Sequence, residues 1–211
     1  MKIRLPAKTS TRAELFIIES LKFADEEKER FEGRILADIL ALRGKQCRYY
    51  YIRTEIELRR VLKKFTESGY RYLHISCHAN DQNMGTTLDT IPITLLAEIL
   101  IPHLNKRRLF LSACSLASDP LAGLVMPASG CTSMLGPCKD VFFSDAAILW
   151  ASLYHVMFAW DSASMKGTVL RKNAQAVSDM YHVPMNYYGR DRQTERGYIS
   201  RKIVPRDPVP T

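Results

Sequence analysis

Short, continuous apolar runs separated by amphipathic segments constrain this chain more than any other feature. Leu15-Phe16-Ile17-Ile18 is a run of this kind, with no alternation of polar and apolar, and Tyr72–Cys77 and Leu109-Phe110-Leu111-Ser112-Ala113 also read as strands. Strands covered on both faces have that pattern, and such strands belong to parallel sheets flanked by helices. Between the runs, Phe31, Ile35, Ile39 and Leu42 recur at helical spacing, and Gly44 stands where a C-cap belongs. Cys47–Arg53 reads as a strand. Thr54 and Glu57 then have capping-box spacing, Leu58, Val61, Leu62 and Phe65 follow on one helical face, and Gly69 closes the helix. Alternation of this sort predicts an α/β sandwich with a mainly parallel central sheet.

The strand Tyr72–Cys77 stops at His78. A polar loop from Ala79 to Pro92 leads to a helix over Thr94–Ile101, broken by Pro102. Leu109–Ala113 is the fourth strand and stops at Cys114. Asp119-Pro120 reads as an N-cap with proline at the first helical position, opening a helix over Leu121–Val125. Cys131–Leu135 reads as a fifth strand. Ser144–Trp160 is apolar nearly all round, which predicts a buried helix, and Met165–Tyr181 is a more amphipathic one. From Pro184 the chain turns basic and tyrosine-rich, with Asn186–Arg190 and Arg196–Val204 as arms of a hairpin. A tail with Pro205, Pro208 and Pro210 is expected to fray. Residues 1–185 read as one domain, with the hairpin and tail, 186–211, as part of it.

Composition excludes several classes. In 211 residues, 46% are hydrophobic, enough for a real core rather than a disordered chain. The longest charge-free apolar stretch, between Asp145 and Asp161, falls short of the about 18–20 residues a bilayer requires. The N-terminus starts basic with Lys2 and Arg4, but Leu15–Ile18 is too short for the core of a signal peptide. Five widely spaced cysteines, an odd number, suit reduced thiols in a cytoplasm better than a disulfide framework. The net charge of +8 favours acidic partners and says nothing about fold.

In an open parallel sheet, ligands bind beyond the carboxyl ends of the strands. His78 and Cys114 occupy that edge on successive strands, and strands joined by one crossover are usually neighbours, about 4.8 Å apart. An imidazole beside a thiol can take its proton and leave a nucleophilic thiolate.

His-Ile-Ser-Cys-His-Ala-Asn (74–80) and Leu-Phe-Leu-Ser-Ala-Cys-Ser (109–115) resemble the two motifs of the caspase-like cysteine peptidases of clan CD, above all their CHAT-domain branch. Phe143-Ser144-Asp145-Ala146-Ala147 is similar to the start of that family's helix after strand five, and the resemblance extends over about Leu15 to Tyr181. It implies a caspase-like three-layer α/β/α sandwich and a cysteine endopeptidase without cofactor or metal. Cys114 would be the nucleophile and His78 the general base. The backbone N–H groups of Ala79 and Cys114 would hold the oxyanion, and Asp145 would line a pocket for a basic residue before the scissile bond. The resemblance also implies a protein substrate and a separate regulatory or activating protein, with no membrane partner. Two positions depart from the family: Ala79 stands where glycine is usual and Ser115 where an acid is common. If the oxyanion turn requires positive φ, alanine is strained there.

Other readings of these residues are structural. His74 lies inside its strand and reads as a core histidine. Cys77 and His78 point to opposite faces, so a zinc site with His74 is not expected. Cys131 and Cys138 read as buried thiols. Asp145 at a helix start is stabilised by the helix dipole without any substrate. The cluster Tyr187, Tyr188, Arg190, Arg192, Arg196, Tyr198, Arg201 and Lys202 interleaves aromatics with cations as single-strand binders do, yet Asp191 and Glu195 interrupt it. Two further function classes therefore stand beside the peptidase: an interaction module that keeps the fold without catalysis, favoured by Ala79, and a nucleic-acid binder using the hairpin.

Overall fold

The computed structural model of the chain describes residues 11–160 and 166–206. Lys2, Arg4, Met165, Pro208 and Pro210 lie outside the described residues. Among the described residues, nine strands and seven α-helices follow in the order β1 (Arg12–Ser20), α1 (Phe23–Glu26), α2 (Glu32–Ala41), β2 (Arg48–Tyr51), α3 (Glu55–Ser68) and β3 (Tyr70–Cys77). Next come β4 (Asn83–Gly85), β5 (Thr90–Pro92), α4 (Ile93–Leu100), β6 (Arg108–Ser112), α5 (Asp119–Ala128) and β7 (Ser133–Pro137). The chain ends with α6 (Phe143–Trp160), α7 (Gly167–Tyr181), β8 (Met185–Arg190) and β9 (Tyr198–Ile203).

Seven strands form one sheet in the order β2-β1-β3-β6-β7-β8-β9, and β4 and β5 pair separately. The strands from β2 through β7 in that order run parallel, while β8 and β9 join antiparallel. The continuous apolar runs are explained by burial on two faces. In β1, Phe16 and Ile18 pack with Leu58, Leu62 and Phe65 of α3, while Leu15 and Ile17 pack with Leu36 and Leu40 of α2. Helices α3, α4 and α5 therefore cover one face and α2, α6 and α7 the other. This is the three-layer α/β/α sandwich with a mainly parallel sheet.

Local chemistry sets several boundaries. Thr54 accepts from the Glu57 N–H and Glu57 answers back in a full capping box, and Gly69 ends α3 with φ 68°. The cap of α5 is Ser118, one residue earlier than Asp119, with Asp119 and Pro120 inside the first turn. Gly44 falls beyond the α2 C-cap, Leu42, in the following turn, where its φ is 76°. The fifth strand sits two residues later than the apolar run suggested, at Ser133–Pro137. Helix α6 is half-sided rather than buried all round: Leu149, Trp150, Leu153 and Tyr154 are inside, but Ile148 and His155 are exposed. The loop after β3 holds the small β4–β5 hairpin, which sequence periodicity does not show because each arm has only three residues.

The register delivers the site. Ser76 of β3 pairs with Ser112 of β6, so His78 and Cys114 each lie two residues beyond a paired position on adjacent parallel strands. Gly136 of β7 fixes the turn carrying the cysteine: a Cβ there would come within 2.6 Å of the Leu111 carbonyl and 2.8 Å of the Ala117 side chain.

Candidate active site

Cys114 and His78 line one cleft at the carboxyl edge of the sheet, with Cys77, Ser112, Glu32, Val141 and Phe143 around them. The cleft lies where β3 and β6 end and where the start of α6 closes over the sheet. The His78 ring Nε2 is 2.7 Å from Asp25 Oδ2. A carboxylate can only accept, so Nε2 carries a proton and Nδ1 is the nitrogen left free for base chemistry.

Asp25 comes from α1, the single helical turn that follows β1. Arg30 donates to the other Asp25 oxygen at 2.9 Å, and its guanidinium lies 5.8 Å over the Phe143 ring. Phe143 in turn packs edge-on against His78, with centroids 5.4 Å apart. His78, Asp25, Arg30 and Phe143 thus form a closed circuit around the imidazole. Burial alone would raise the Asp25 carboxyl, but the hydrogen bonds from His78 and Arg30 outweigh it and hold it below the ordinary range.

The Cys114 thiol is half-buried, and its pKa is raised. Burial is the main cause, the Val141 N–H opposes it, and the nearby Asp140 carboxylate adds to it. At rest the sulfur is therefore a thiol, and a base must take its proton before it can attack.

Beneath the pair sits a buried carboxylate. Glu32, at the start of α2, is among the residues lining the cleft yet is only 3% exposed. Ser112 donates to its Oε1 and Oε2 at 2.7 and 2.8 Å, and Ser76 to Oε2 at 2.9 Å. A second carboxylate, Glu19, accepts from the Gly33 N–H at 2.7 Å and from the Tyr49 hydroxyl at 2.8 Å. Burial pushes its pKa up to about 7, against those hydrogen bonds and with help from the Glu32 charge. His74 is fully buried, as expected of a core residue. Its Nδ1 is 3.0 Å from the Tyr154 hydroxyl, whereas Nε2 has no hydrogen-bond partner and lies 3.7 Å from Glu32 Oε1.

The remaining expected residues fall as follows. Ala79 follows His78 but is absent from the cleft lining; it bridges to Met84 and is not among the residues with positive φ, so the strain expected of alanine does not arise. The left-handed residue is Ser115, with φ 55°, directly after the nucleophile candidate. Asp145 stands exposed on the first turn of α6, accepts from Ser144 at 3.3 Å, and is absent from the cleft lining, whereas Ala146 beside it lines the cleft. Cys131 is buried as expected, but Cys138 is only partly so. In the hairpin, Tyr187, Tyr188 and Tyr198 are buried in the sheet's own packing, and the Arg190 guanidinium donates to the Met126, Ser129 and Cys131 carbonyls. Their rings are not presented for base stacking. Among the described residues no cluster of three His, Cys, Asp or Glu side chains is placed to hold a metal ion, and no helix is long and apolar enough to cross a membrane.

This sheet order, with its helical layers and strand-end cleft, is the caspase-like fold of cysteine peptidases. One similar solved structure is a secreted C11 cysteine protease from Bacteroides thetaiotaomicron in complex with an irreversible peptide inhibitor. It has 10% sequence identity and a TM-score of 0.52, covering 84% of this chain and 66% of that one. The Arg-specific cysteine proteinase gingipain R aligns with 12% identity and a TM-score of 0.53, over 84% of this chain and 44% of its own. An inactive zymogen C11 protease from Parabacteroides distasonis aligns with 8% identity and a TM-score of 0.57, over 88% and 63%. The chain thus spans less than two thirds of the length of each of these proteins. No family model and no curated protein matches it by sequence.

Asp25 and Glu32 are among the site residues that sequence reasoning missed. Asp25 lies in the charged segment Lys22–Arg30, which carries no periodic signal, and Glu32 sits between the periodic positions Phe31 and Ile35 at the polar start of the next helix. The one available hint was position: the charged segment follows the carboxyl end of β1, the strand next to β3.

Proposed function

We propose that the chain is a cysteine endopeptidase acting on a protein substrate. The observation that carries this reading is the shared cleft of Cys114 and His78, with His78 Nε2 held on Asp25. In the first step the Cys114 S–H proton passes to His78 Nδ1 while sulfur attacks the substrate carbonyl carbon. The oxyanion that forms accepts from the backbone N–H groups of Cys114 and Ala79, donors of a kind worth about 10²–10³ in rate. The C–N bond then breaks, His78 returns its proton to the leaving amine, and water hydrolyses the thioester. Asp25 keeps the ring in the tautomer this sequence requires and stabilises the imidazolium.

A basic residue before the scissile bond suits the cleft, because the Glu32 carboxylate is among its lining groups and one fold neighbour is Arg-specific. The pocket role expected of Asp145 is thereby shared with a second candidate, and Glu32→Gln against Asp145→Ala separates the two. The affinity with the CHAT branch and activation by a separate protein rest on the 74–80 and 109–115 motifs, and a cytoplasmic setting rests on the five widely spaced cysteines. The test is cleavage of a tetrapeptide library, alone and with candidate partner proteins. Cleavage lost in both Cys114→Ala and His78→Ala supports the assignment, and cleavage unchanged in either overturns it.

A second reading has its own observation. The Cys114 thiol is raised by burial and by Asp140, which suits an interaction module that keeps the fold without turnover. Under that reading Cys114 alkylates no faster than the other four cysteines.

A further inference from the structure

The way Glu32 is held bears on which basic side chain the cleft takes. Resting on the peptidase reading above, we propose that Ser112 makes this a pocket for lysine in preference to arginine. The Ser112 hydroxyl oxygen is nearly equidistant from the two carboxylate oxygens, at 2.7 and 2.8 Å. An atom so placed lies on the bisector of the carboxylate, in the notch between its oxygens. A guanidinium in its strong, forked geometry brings two parallel N–H donors to that same edge. With Ser112 there, the fork cannot form.

Acceptor capacity leads to the same conclusion. A carboxylate offers about four lone-pair sites. Oε2 accepts from Ser76 and Ser112, and Oε1 accepts from Ser112 alone. One site on Oε1 is left, and His74 Nε2, at 3.7 Å, is too far away to occupy it. A single open acceptor suits a point-charge ammonium. The Ser112 oxygen, which lines the cleft and spends its one proton on Glu32, keeps lone pairs for a second ammonium N–H. An arginine side chain using the same two acceptors leaves three of its five N–H donors without those partners, against one of three for lysine. Ser112 is itself only 6% exposed and is fixed in β6 beside its paired residue Ser76, so the plug belongs to the fold.

The experiment uses three peptidyl acyloxymethyl ketones that differ only in carrying Lys, Arg or Ala before the reactive carbonyl. Rates of Cys114 modification are read by mass spectrometry on the full chain. In the wild type the Lys probe should react faster than the Arg probe by about tenfold, and both faster than Ala. Ser112→Ala opens the notch, and its Lys-to-Arg ratio should fall to one or below. An Arg rate equal to or above the Lys rate in the wild type, with Ala slow, overturns the lysine preference and leaves the basic-residue reading standing. A ratio unchanged in folded Ser112→Ala also overturns it. Equal rates for all three probes, or none with any, overturn both. The wild-type ratio decides the matter even if the variant does not fold.

Discussion

His78 Nε2 and Asp25 Oδ2 are 2.7 Å apart, although 53 residues separate them in the chain. The contact joins the end of β3 to the helical turn after β1, two strands paired over most of their length. Its consequence is chemical: the ring has a fixed tautomer, and Nδ1 is its free base. Asp25→Asn keeps the shape but removes the charge that stabilises an imidazolium. Cleavage should slow by about 10²-fold or more, the scale of general-base assistance, with unfolding unchanged to within about 1 kcal/mol. Cleavage at the wild-type rate would show that Asp25 has no part in the reaction.

The Cys114 thiol is held above its ordinary pKa, and Asp140 is one cause. Asp140→Asn removes that charge, so the thiolate fraction at a fixed pH near 8 should grow. Iodoacetamide should then alkylate Cys114 several-fold faster than in the wild type. Rates measured from pH 6 to 10 check this: the variant's curve should lie to the acid side of the wild type's. Coincident curves would remove Asp140 from the account.

Glu19 makes the stability of the fold depend on pH. Its pKa is raised, from 4.5 to about 7, so the folded state binds its proton more tightly than the unfolded state does. The sign follows from linkage: stability is greatest below the unfolded pKa and declines as pH rises from about 4.5 through about 7. Fully expressed, such a shift is worth about 3 kcal/mol. Glu19→Gln should flatten this decline, so the gap between variant and wild-type urea midpoints should widen from pH 5 to pH 8 in the variant's favour. A gap independent of pH would mean that Glu19 does not titrate in this range.

Gly136 should tolerate no side chain, since a Cβ there meets the Leu111 carbonyl at 2.6 Å. Gly136→Ala is expected to cost about 1–3 kcal/mol, the scale of overpacking, and to slow Cys114 alkylation because Leu111–Ala117 carries the cysteine. Thermal melting and site-resolved labelling measure the two effects. Loss of stability without any change in labelling would show that the turn moves freely of β7.

Specificity separates two acids. Glu32→Gln should reduce discrimination between basic and neutral residues at the cleavage site by about 10²-fold, whereas Asp145→Ala on the exposed turn should change it little. The reverse result would return the pocket role to Asp145.

The sheet was legible in the sequence because burial on two faces leaves a continuous apolar run, clearest at Leu15–Ile18 of β1 and Leu109–Leu111 of β6. Capping boxes and left-handed glycines marked α3 because these devices are local. The strand-end positions of His78 and Cys114 followed from topology. Asp25 and Glu32 were not legible: a carboxylate in a charged segment has no signature until the fold sets it against an imidazole or two serine hydroxyls. The cap of α5 was misplaced by one residue because Ser118 and Asp119 both carry capping side chains, and only the backbone decides between them.

The proposed mechanism makes Cys114 a nucleophile driven by His78. It is tested most directly by the rate at which a peptidyl acyloxymethyl ketone with lysine before its carbonyl modifies each of the five cysteines, in wild type and in His78→Ala. The expected result is a single adduct on Cys114 whose rate falls by about 10²-fold or more without His78. Adducts spread evenly over the cysteines, or a Cys114 rate indifferent to His78, would contradict the claim.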